Sequence, residues 1–290
     1  MAFSTVLVVK DPARNDYARF FEAVFTHIPA SLPGIDVLVL SPVKQTKELN
    51  YVLARLYDQL RGYANKREFS FKFEITVLLE SPRDDWDVAF VPSSEAGDVD
   101  VADKVIPLEG DITRVEPPSF ESFGSRQFSV SAVGGTFDHL HDGHKILLSA
   151  AGFVTSKHLI VGVTGPQMLL KKKYAEVMEP IGQRIKAVTK FLQQILPPSV
   201  TFAIYQIDDV CGPTGFVKDI DALIISEETR KGADFVNDYR QKQDFPVLEV
   251  VSVDVLGATG KEDENWEGKI SSTGVREEEV KRLAKRQKRH

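Results

Sequence analysis

The stretch Gly134-Gly135-Thr136-Phe137-Asp138-His139-Leu140-His141-Asp142-Gly143-His144 constrains this chain more than any other. An apolar run with β-branched residues, Phe128–Val133, leads into it, and an apolar run at helical spacing, Lys145–Ala151, leads out of it. Strand, glycine turn and helix in immediate succession is the arrangement in which backbone N–H groups and a helix N-terminus face a phosphate. A helix beginning near Asp142 puts His141 and His144 on the same side of its first turn. A glycine pair can serve only to turn the chain, and two histidines can serve only to cap a helix. The combination of Gly-Gly-Thr-Phe-Asp, the histidine pair and the preceding strand favours the phosphate-binding reading.

Several classes of function are excluded by simple counts. The chain has 290 residues, enough for one large or two medium domains, and its 42% hydrophobic content can fill a core. A net charge of −6 leaves no global basic field to draw in nucleic acid or a membrane surface. The single cysteine, Cys211, permits no internal disulfide and suits a reducing compartment. No apolar run reaches about 18 residues, so no spanning helix is expected, and the N-terminus lacks the marks of a signal peptide. The expected location is the cytoplasm; the basic tail after Val280 allows the nucleus too, though a solvated helix end is the commoner explanation.

Along the chain, strands are expected at Thr5–Val9, Ile35–Leu40, Phe73–Leu79 and Trp86–Val91. Tyr17, Phe20, Phe21, Val24 and Phe25 form one helical stripe, and Leu49, Leu53, Leu56 and Leu60 another within Lys47–Ala64. Strands alternating with helices predict a parallel sheet for residues 1–115, with no catalytic motif in it. The stretch Asp98–Arg126 is acidic and then rich in Pro, Ser and Phe, and residues 116–127 are taken as a linker. Residues 128–290 start again with a strand. A helix over about Gly143–Phe153, strand His158–Thr164 and a helix opened by Pro180 follow. Strands Val200–Ile207, Ala222–Ser226 and Leu248–Val253 come next, with a helix around Ala233–Lys242. The fold class is therefore α/β: a Rossmann-like doubly wound parallel sheet, with its site at the carboxyl edge, preceded by a second α/β domain.

Four segments of the second half resemble one family. They are Gly134–His144; Gly162-Val163-Thr164 with Leu169-Leu170-Lys171-Lys172-Lys173, Glu179-Pro180 and Arg184; Asp208 through Gly212-Pro213-Thr214 to Ser226-Glu227-Glu228-Thr229; and Ile270-Ser271-Ser272-Thr273-Gly274-Val275-Arg276. The HxGH and ISSTxxR patterns resemble the nucleotidylyltransferase superfamily, and the Ser-Glu-Glu-Thr stretch resembles more narrowly its eukaryotic and archaeal phosphopantetheine adenylyltransferases. The resemblance implies transfer of AMP from ATP to 4′-phosphopantetheine. It covers about residues 128–276.

What the resemblance implies for individual residues can be set beside their chemistry. Thr136 can hydrogen-bond the incoming phosphate, with Gly134, Gly135 and Phe137 in the nucleotide-binding turn. His144 is expected at the α-phosphate and His141 at the outer phosphates. Lys171 or Lys173 is the expected charge clamp; taken alone the three lysines read as a solvated loop. Ser271, Ser272 and Thr273 are expected to open a helix whose free N–H groups face the triphosphate. Arg276, one turn in, could offer its forked guanidinium to phosphate oxygens. Ser226, Glu227 and Arg230 are expected near the adenine, although Thr229-Arg230 could equally form a polar turn. For Arg184 an internal ion pair competes with nucleotide contact. No carboxylate cage is visible, so Mg²⁺ is expected to be held by phosphate and water rather than by a dedicated metal site. Asp138 is expected either behind that ion or as a cap on backbone amides. The partners expected are ATP and 4′-phosphopantetheine, not nucleic acid, with other enzymes of coenzyme A synthesis as candidates for the N-terminal domain. There is no Gly-x-x-x-x-Gly-Lys-[Ser/Thr] motif, so the final phosphorylation of coenzyme A is expected on another chain. A cytidylyltransferase acting on a small phosphate ester, or a nucleotide-sensing scaffold, would share much of this pattern.

Overall fold

Valine, leucine and isoleucine runs without polar alternation are strands buried on both faces, which is the signature of parallel sheets covered by helices. A computed structural model of the chain describes residues 4–69, 73–79, 85–97, 99–170, 172–254 and 272–287. It divides into two compact units at Ser122/Phe123.

The first unit contains β1 (Thr5–Val9), β2 (Asn15–Asp16), α1 (Ala18–His27), β3 (Gly34–Val39), α2 (Thr46–Lys66), β4 (Glu74–Leu78), β5 (Trp86–Pro92), β6 (Ala102–Leu108) and β7 (Thr113–Arg114). Its parallel sheet runs β4-β3-β1-β5-β6, and β2 pairs antiparallel with β7. Every residue of β1 is buried. Phe20, Phe21, Val24 and Phe25 of α1 and Leu49, Leu53, Leu56 and Leu60 of α2 pack against the sheet as buried stripes. Strand β6 lies inside the acidic stretch that shows no strand pattern in sequence. It is an edge strand, paired only with β5, and its residues are largely exposed or half-buried. An edge position also tolerates Pro107, whose missing N–H costs no ladder bond when it faces away from the sheet.

The second unit contains β8 (Phe128–Gly135), α3 (Asp142–Val154), β9 (Thr155–Thr164), α4 (Ile181–Ile195), β10 (Thr201–Ile207), β11 (Ala222–Ser226), α5 (Arg230–Lys242), β12 (Glu249–Val253) and α6 (Ser272–Gln287). All five strands are parallel in the order β10-β9-β8-β11-β12. The chain steps outward from β8 through β9 to β10, then returns to lay β11 on the other side of β8. That reversal opens a crevice at the carboxyl ends of β8 and β11, where ligands of doubly wound sheets bind. The glycine turn after β8 lies at that point. Ala132, Ile160, Leu223, Ile225, Ala233, Val236 and Leu248 form the core on one face of the sheet.

Helix α4 buries Arg184, Val188, Phe191 and Leu192, a stripe rotated from the Ile181, Ile185, Val188, Leu192 and Ile195 face that periodicity alone suggests. The rotation has a physical reason. Arg184 is 1% exposed, and its guanidinium donates to the carbonyls of Thr136 (2.7 Å), Thr164 (2.9 Å) and Glu179 (3.0 Å). A charged group that satisfies three main-chain acceptors is tolerated inside; a leucine there would leave all three unpaired. Arg184 therefore ties together the carboxyl ends of β8 and β9.

With its own sheet, helices and core, a fragment of residues 120–290 is expected to unfold in a single cooperative thermal transition followed by far-UV circular dichroism. A fragment without a transition would show that the core of the second unit needs the first 119 residues.

Candidate active site at the carboxyl edge of the second sheet

Each polar side chain at the crevice is placed by a short local device. Helix α3 starts at Asp142, so His141 takes the cap position with extended backbone and His144 falls in the first turn. The two imidazoles stack, with centroids 3.8 Å apart and planes at 22°. Phe137 packs its ring edge-on against His144, 5.3 Å between centroids. Its side chain is fully buried and its φ is +50°, so Phe137 braces the imidazole from below. Its ring therefore supports the turn from the protein side. Gly135 follows from this brace: a Cβ there would come within 3.0 Å of the Phe137 ring.

Burial sets the protonation state of the pair. Desolvation holds His141 down to about 4, against partial compensation by Asp142 and Asp138. Desolvation, reinforced by His141, holds His144 well below the ordinary histidine range. Both rings are therefore neutral near pH 7. Nδ1 of each ring is buried without a hydrogen-bond partner among the described residues, and Nε2 of His141 lies 3.1 Å from Ser272 Oγ at the start of α6. Buried polar atoms without partners are uncommon in finished cores. A pair of them in a glycine turn at a sheet's switch point marks a binding site.

Helix α6 packs on this turn along one face. Ser272, Arg276 and Glu279 follow helical spacing, and each meets the turn: Ser272 at His141, Arg276 at Asp138 (2.7 Å), and Glu279 at His139 Nε2 (2.6 Å). Arg276 is 2% exposed. Besides Asp138 it donates to the carbonyl of Lys173 (3.0 Å) and to Thr273 Oγ1 (3.3 Å). Its guanidinium is thus engaged with three groups of the protein in this structure. Asp138 is fully buried. Burial opposes its ionisation, but His139, Arg276 and the Glu179 amide together hold its carboxyl below the usual range. Glu179 completes the cluster reciprocally: its N–H donates to Asp138 (2.9 Å) and its carboxylate accepts the His139 N–H (2.8 Å).

Asp138, His139 and Glu179 have metal-ligand chemistry and lie close together. They do not fit a resident cation. Both Asp138 oxygens already accept from cationic or N–H donors, and the Arg276 guanidinium already supplies a positive charge to Asp138. Of the two alternatives read from sequence for Asp138, the amide-capping one matches its geometry.

The other sequence-named residues divide by position. Thr136 and Gly134 are at the end of β8 or just beyond it, with the Thr136 carbonyl turned to Arg184. Ser226, Glu227 and Arg230 lie at the carboxyl end of neighbouring β11, so they share the crevice edge. There Thr229 Oγ1 donates to the Ser226 carbonyl (2.9 Å) and Arg230 pairs with Glu227 (3.6 Å), both half-exposed: the polar turn. Lys173 is exposed on the loop after β9, with its carbonyl on Arg276. Lys171 and Ser271 lie outside the described residues. His139 and Glu279 were given no role from sequence, Glu179 was noted only within its segment, and the internal role weighed for Arg184 was an ion pair rather than bonds to main-chain carbonyls; the His-x-His doubling in His139-Leu140-His141 was the visible signal for the first.

Comparison with known proteins follows the same lines. A model of the cytidylyltransferase-like family matches residues 132–278. A phosphopantetheine adenylyltransferase of Saccharomyces cerevisiae is 34% identical over 257 residues, spanning 83% of this chain and 82% of that protein. The match therefore extends into the first unit. An uncharacterized protein of Schizosaccharomyces pombe is 42% identical over 154 residues, 52% of this chain and 48% of that protein. A phosphopantetheine adenylyltransferase of Pyrococcus horikoshii is 35% identical over 131 residues, 45% of this chain but 81% of its own length.

The neutral histidines predict how stability varies with acid. Between the ordinary value near 6.5 and about 4, the unfolded chain takes up a proton at His141 that the folded chain refuses, so stability falls as pH drops through that window. From pH 7 to pH 5 the loss from His141 is expected to be about 2 kcal/mol. His139, raised by its carboxylate partners, acts oppositely: its contribution is complete below the ordinary histidine value and is lost as pH rises through its own. Urea midpoints at the two pH values should show the acid loss in the unliganded wild type and a smaller one in His141→Asn.

Proposed function

The chain belongs to the phosphopantetheine adenylyltransferase family, and on that premise we infer that its second unit transfers AMP from ATP to 4′-phosphopantetheine, yielding dephospho-coenzyme A and pyrophosphate in coenzyme A synthesis. The observation that carries the reading is the neutral, stacked His141–His144 pair at the switch point of a parallel sheet, with the start of α6 docked on it.

A phosphate oxygen of 4′-phosphopantetheine attacks the α-phosphorus of ATP. A new phosphorus–oxygen bond forms, the bond from the α-phosphorus to the α–β bridging oxygen breaks, and pyrophosphate departs with the electron pair. The attacking oxygen is already anionic, so the protein supplies neither base nor nucleophile. Its task is to hold the two phosphates in line and to meet charge at the α-phosphate. His144, fixed between the His141 ring and the Phe137 edge, donates an N–H to an α-phosphate oxygen without reorienting. His141 and the first N–H groups of α6 receive the outer phosphates. Thr136 orients the acceptor, and Lys173 or Lys171 brings a mobile ammonium over both. Ser226, Glu227 and Arg230 line the adenosine end.

The Asp138 grouping does not fit Mg²⁺; an ion bound through the triphosphate's own oxygens and water would supply charge neutralisation there. The N-terminal domain, residues 1–115 with a linker over 116–127, supports the enzyme or recruits others of its pathway. No helix among the described residues is long and apolar enough to cross a membrane. The single cysteine suits the cytoplasm.

Incubation with ATP, Mg²⁺ and 4′-phosphopantetheine should yield dephospho-coenzyme A, identified by mass. Turnover with CTP in place of ATP, and none with ATP, would overturn the reading. His144→Ala should lower kcat/KM by about 10²–10³-fold with the melting temperature nearly unchanged; comparable losses in both would assign His144 to structure.

A further inference from the structure

The contacts between α6 and the glycine turn are polar, and one residue stands at their centre. His139 has a left-handed backbone (φ +47°), and its imidazole lies between two carboxylates: Nδ1 is 3.1 Å from Asp138 Oδ1 and Nε2 is 2.6 Å from Glu279 Oε2. Its own N–H donates to Glu179, on the segment that carries the lysine loop into α4. Through Asp138 it adjoins Arg276, and Arg276 holds the carbonyl of Lys173. His139 therefore touches, directly or through one neighbour, all three segments that meet at the polyphosphate: the turn, the lysine loop and α6.

We propose that His139 is a positioning residue for ATP: its imidazolium clasps Glu279 and Asp138 at once, and so sets the first turn of α6 against His141 and the lysine loop against Arg276. This rests on the adenylyltransferase reading and adds to it. Only the doubly protonated ring presents an N–H to each carboxylate, bonding Glu279 through Nε2 and facing Asp138 through Nδ1 as an ion pair outside hydrogen-bond alignment. A neutral ring donates to one and turns a lone pair toward the other. The groups facing it decide which form prevails. Asp138 and Glu179 come from the turn and the loop, Glu279 and Arg276 from α6, and His141 from the start of α3. Burial disfavours the charge, but the carboxylates outweigh it and raise the ring above the ordinary histidine range. His139 itself stays clear of the reacting atoms in this scheme, because its Nε2 is bonded to Glu279 and its Nδ1 faces Asp138.

The test is the pH dependence of ATP binding and turnover in the full chain. In the wild type, KM for ATP and the calorimetric Kd should both rise on the alkaline side as His139 loses its proton. His139→Ala should raise both by about tenfold at neutral pH, with kcat changed less than about threefold, and should abolish the alkaline rise. Glu279→Ala, on the partly exposed face of α6, should raise KM similarly and serves if the first variant does not fold. Glu279→Gln should rescue: its amide can donate to the neutral ring, so KM stays near wild type and the alkaline rise flattens. An alkaline rise that persists in His139→Ala, or a Glu279→Ala protein with wild-type KM and Kd for ATP, would overturn the proposal. A wild type that binds ATP but makes no dephospho-coenzyme A would instead refute the functional reading, leaving the Kd comparison to judge the clasp.

Discussion

The buried pair of Asp138 and Arg276 is the contact on which the site depends. The two charged groups, separated by 138 residues of sequence, meet at 2.7 Å with almost no exposure. Neither would be stable there alone: an unpaired buried charge costs several kcal/mol, and a pair recovers that cost only when its remaining lone pairs and protons are also satisfied. Here they are. Asp138 takes the Glu179 amide and sits against His139, while Arg276 takes the Lys173 carbonyl and Thr273. The pair therefore works as a knot among two loops and a late helix. Pulling out any one strand would leave charge stranded in the interior, which is why these segments can be mutually fixed without a large apolar interface.

The two units pose a sharper version of the question of fold against function. Their sheets share one order: in each, the first strand lies centrally, the second and third step out to one side, and the fourth and fifth fill the other. The carboxyl end of the first strand is thus a switch point in both. In the second unit that point carries glycines, stacked imidazoles and an incoming helix. In the first, the turn after β1 is Lys10-Asp11-Pro12-Ala13-Arg14, and the carboxylate of Glu95 closes over it, accepting the Lys10 N–H (3.0 Å) and the Tyr17 hydroxyl (2.9 Å). A carboxylate repels a polyanion where an imidazole would receive it. The scaffold is present twice, and the chemistry that makes it a nucleotide site occurs once, as expected when function resides in grafted residues rather than in topology.

Much of this was legible in the amino-acid sequence, and the division between legible and hidden is physical. Strands β1 and β11 are written as nearly unbroken apolar runs because both faces are covered, while β8 is marked by its β-branched residues and the glycine turn behind it. The start of α3 at Asp142 follows from the glycine turn and the helical run behind it. Edge strand β6 was hidden because most of its residues are exposed or half-buried and its order comes from pairing with β5, a non-local cause. Arg184 was ambiguous because an arginine at helical spacing reads as surface; only the convergence of three carbonyls makes it core. For Phe137 and Arg276 the neighbourhood was legible and the protein contacts were not. Their motif positions are readable from order and spacing, but whether a side chain faces ligand or interior depends on what stands behind it, and the partner of Arg276 lies on another segment. His139 was overlooked for the same reason, since its second carboxylate arrives from 140 residues away.

The electrostatic division of labour around the crevice follows from these contacts. The chain is acidic overall, and the site does not draw in its anionic substrates with a general positive field. Fixed cations at the site are spent on holding the protein together: Arg276 on Asp138, Arg184 on main-chain carbonyls, the ring of His139 between two carboxylates. In the proposed reaction the groups assigned to the nucleotide are neutral donors, the His141–His144 pair and helix N–H groups, with the charge of a lysine on a loop. A rigid neutral donor favours whichever oxygen carries most charge, which at the α-phosphorus is the oxygen of the transition state. A rigid buried cation would bind the ground-state triphosphate nearly as tightly and would retain the pyrophosphate afterwards. Placing the permanent charges one layer behind the donors lets the site be ordered before substrate arrives, while its strongest interaction is kept for the step in which charge develops.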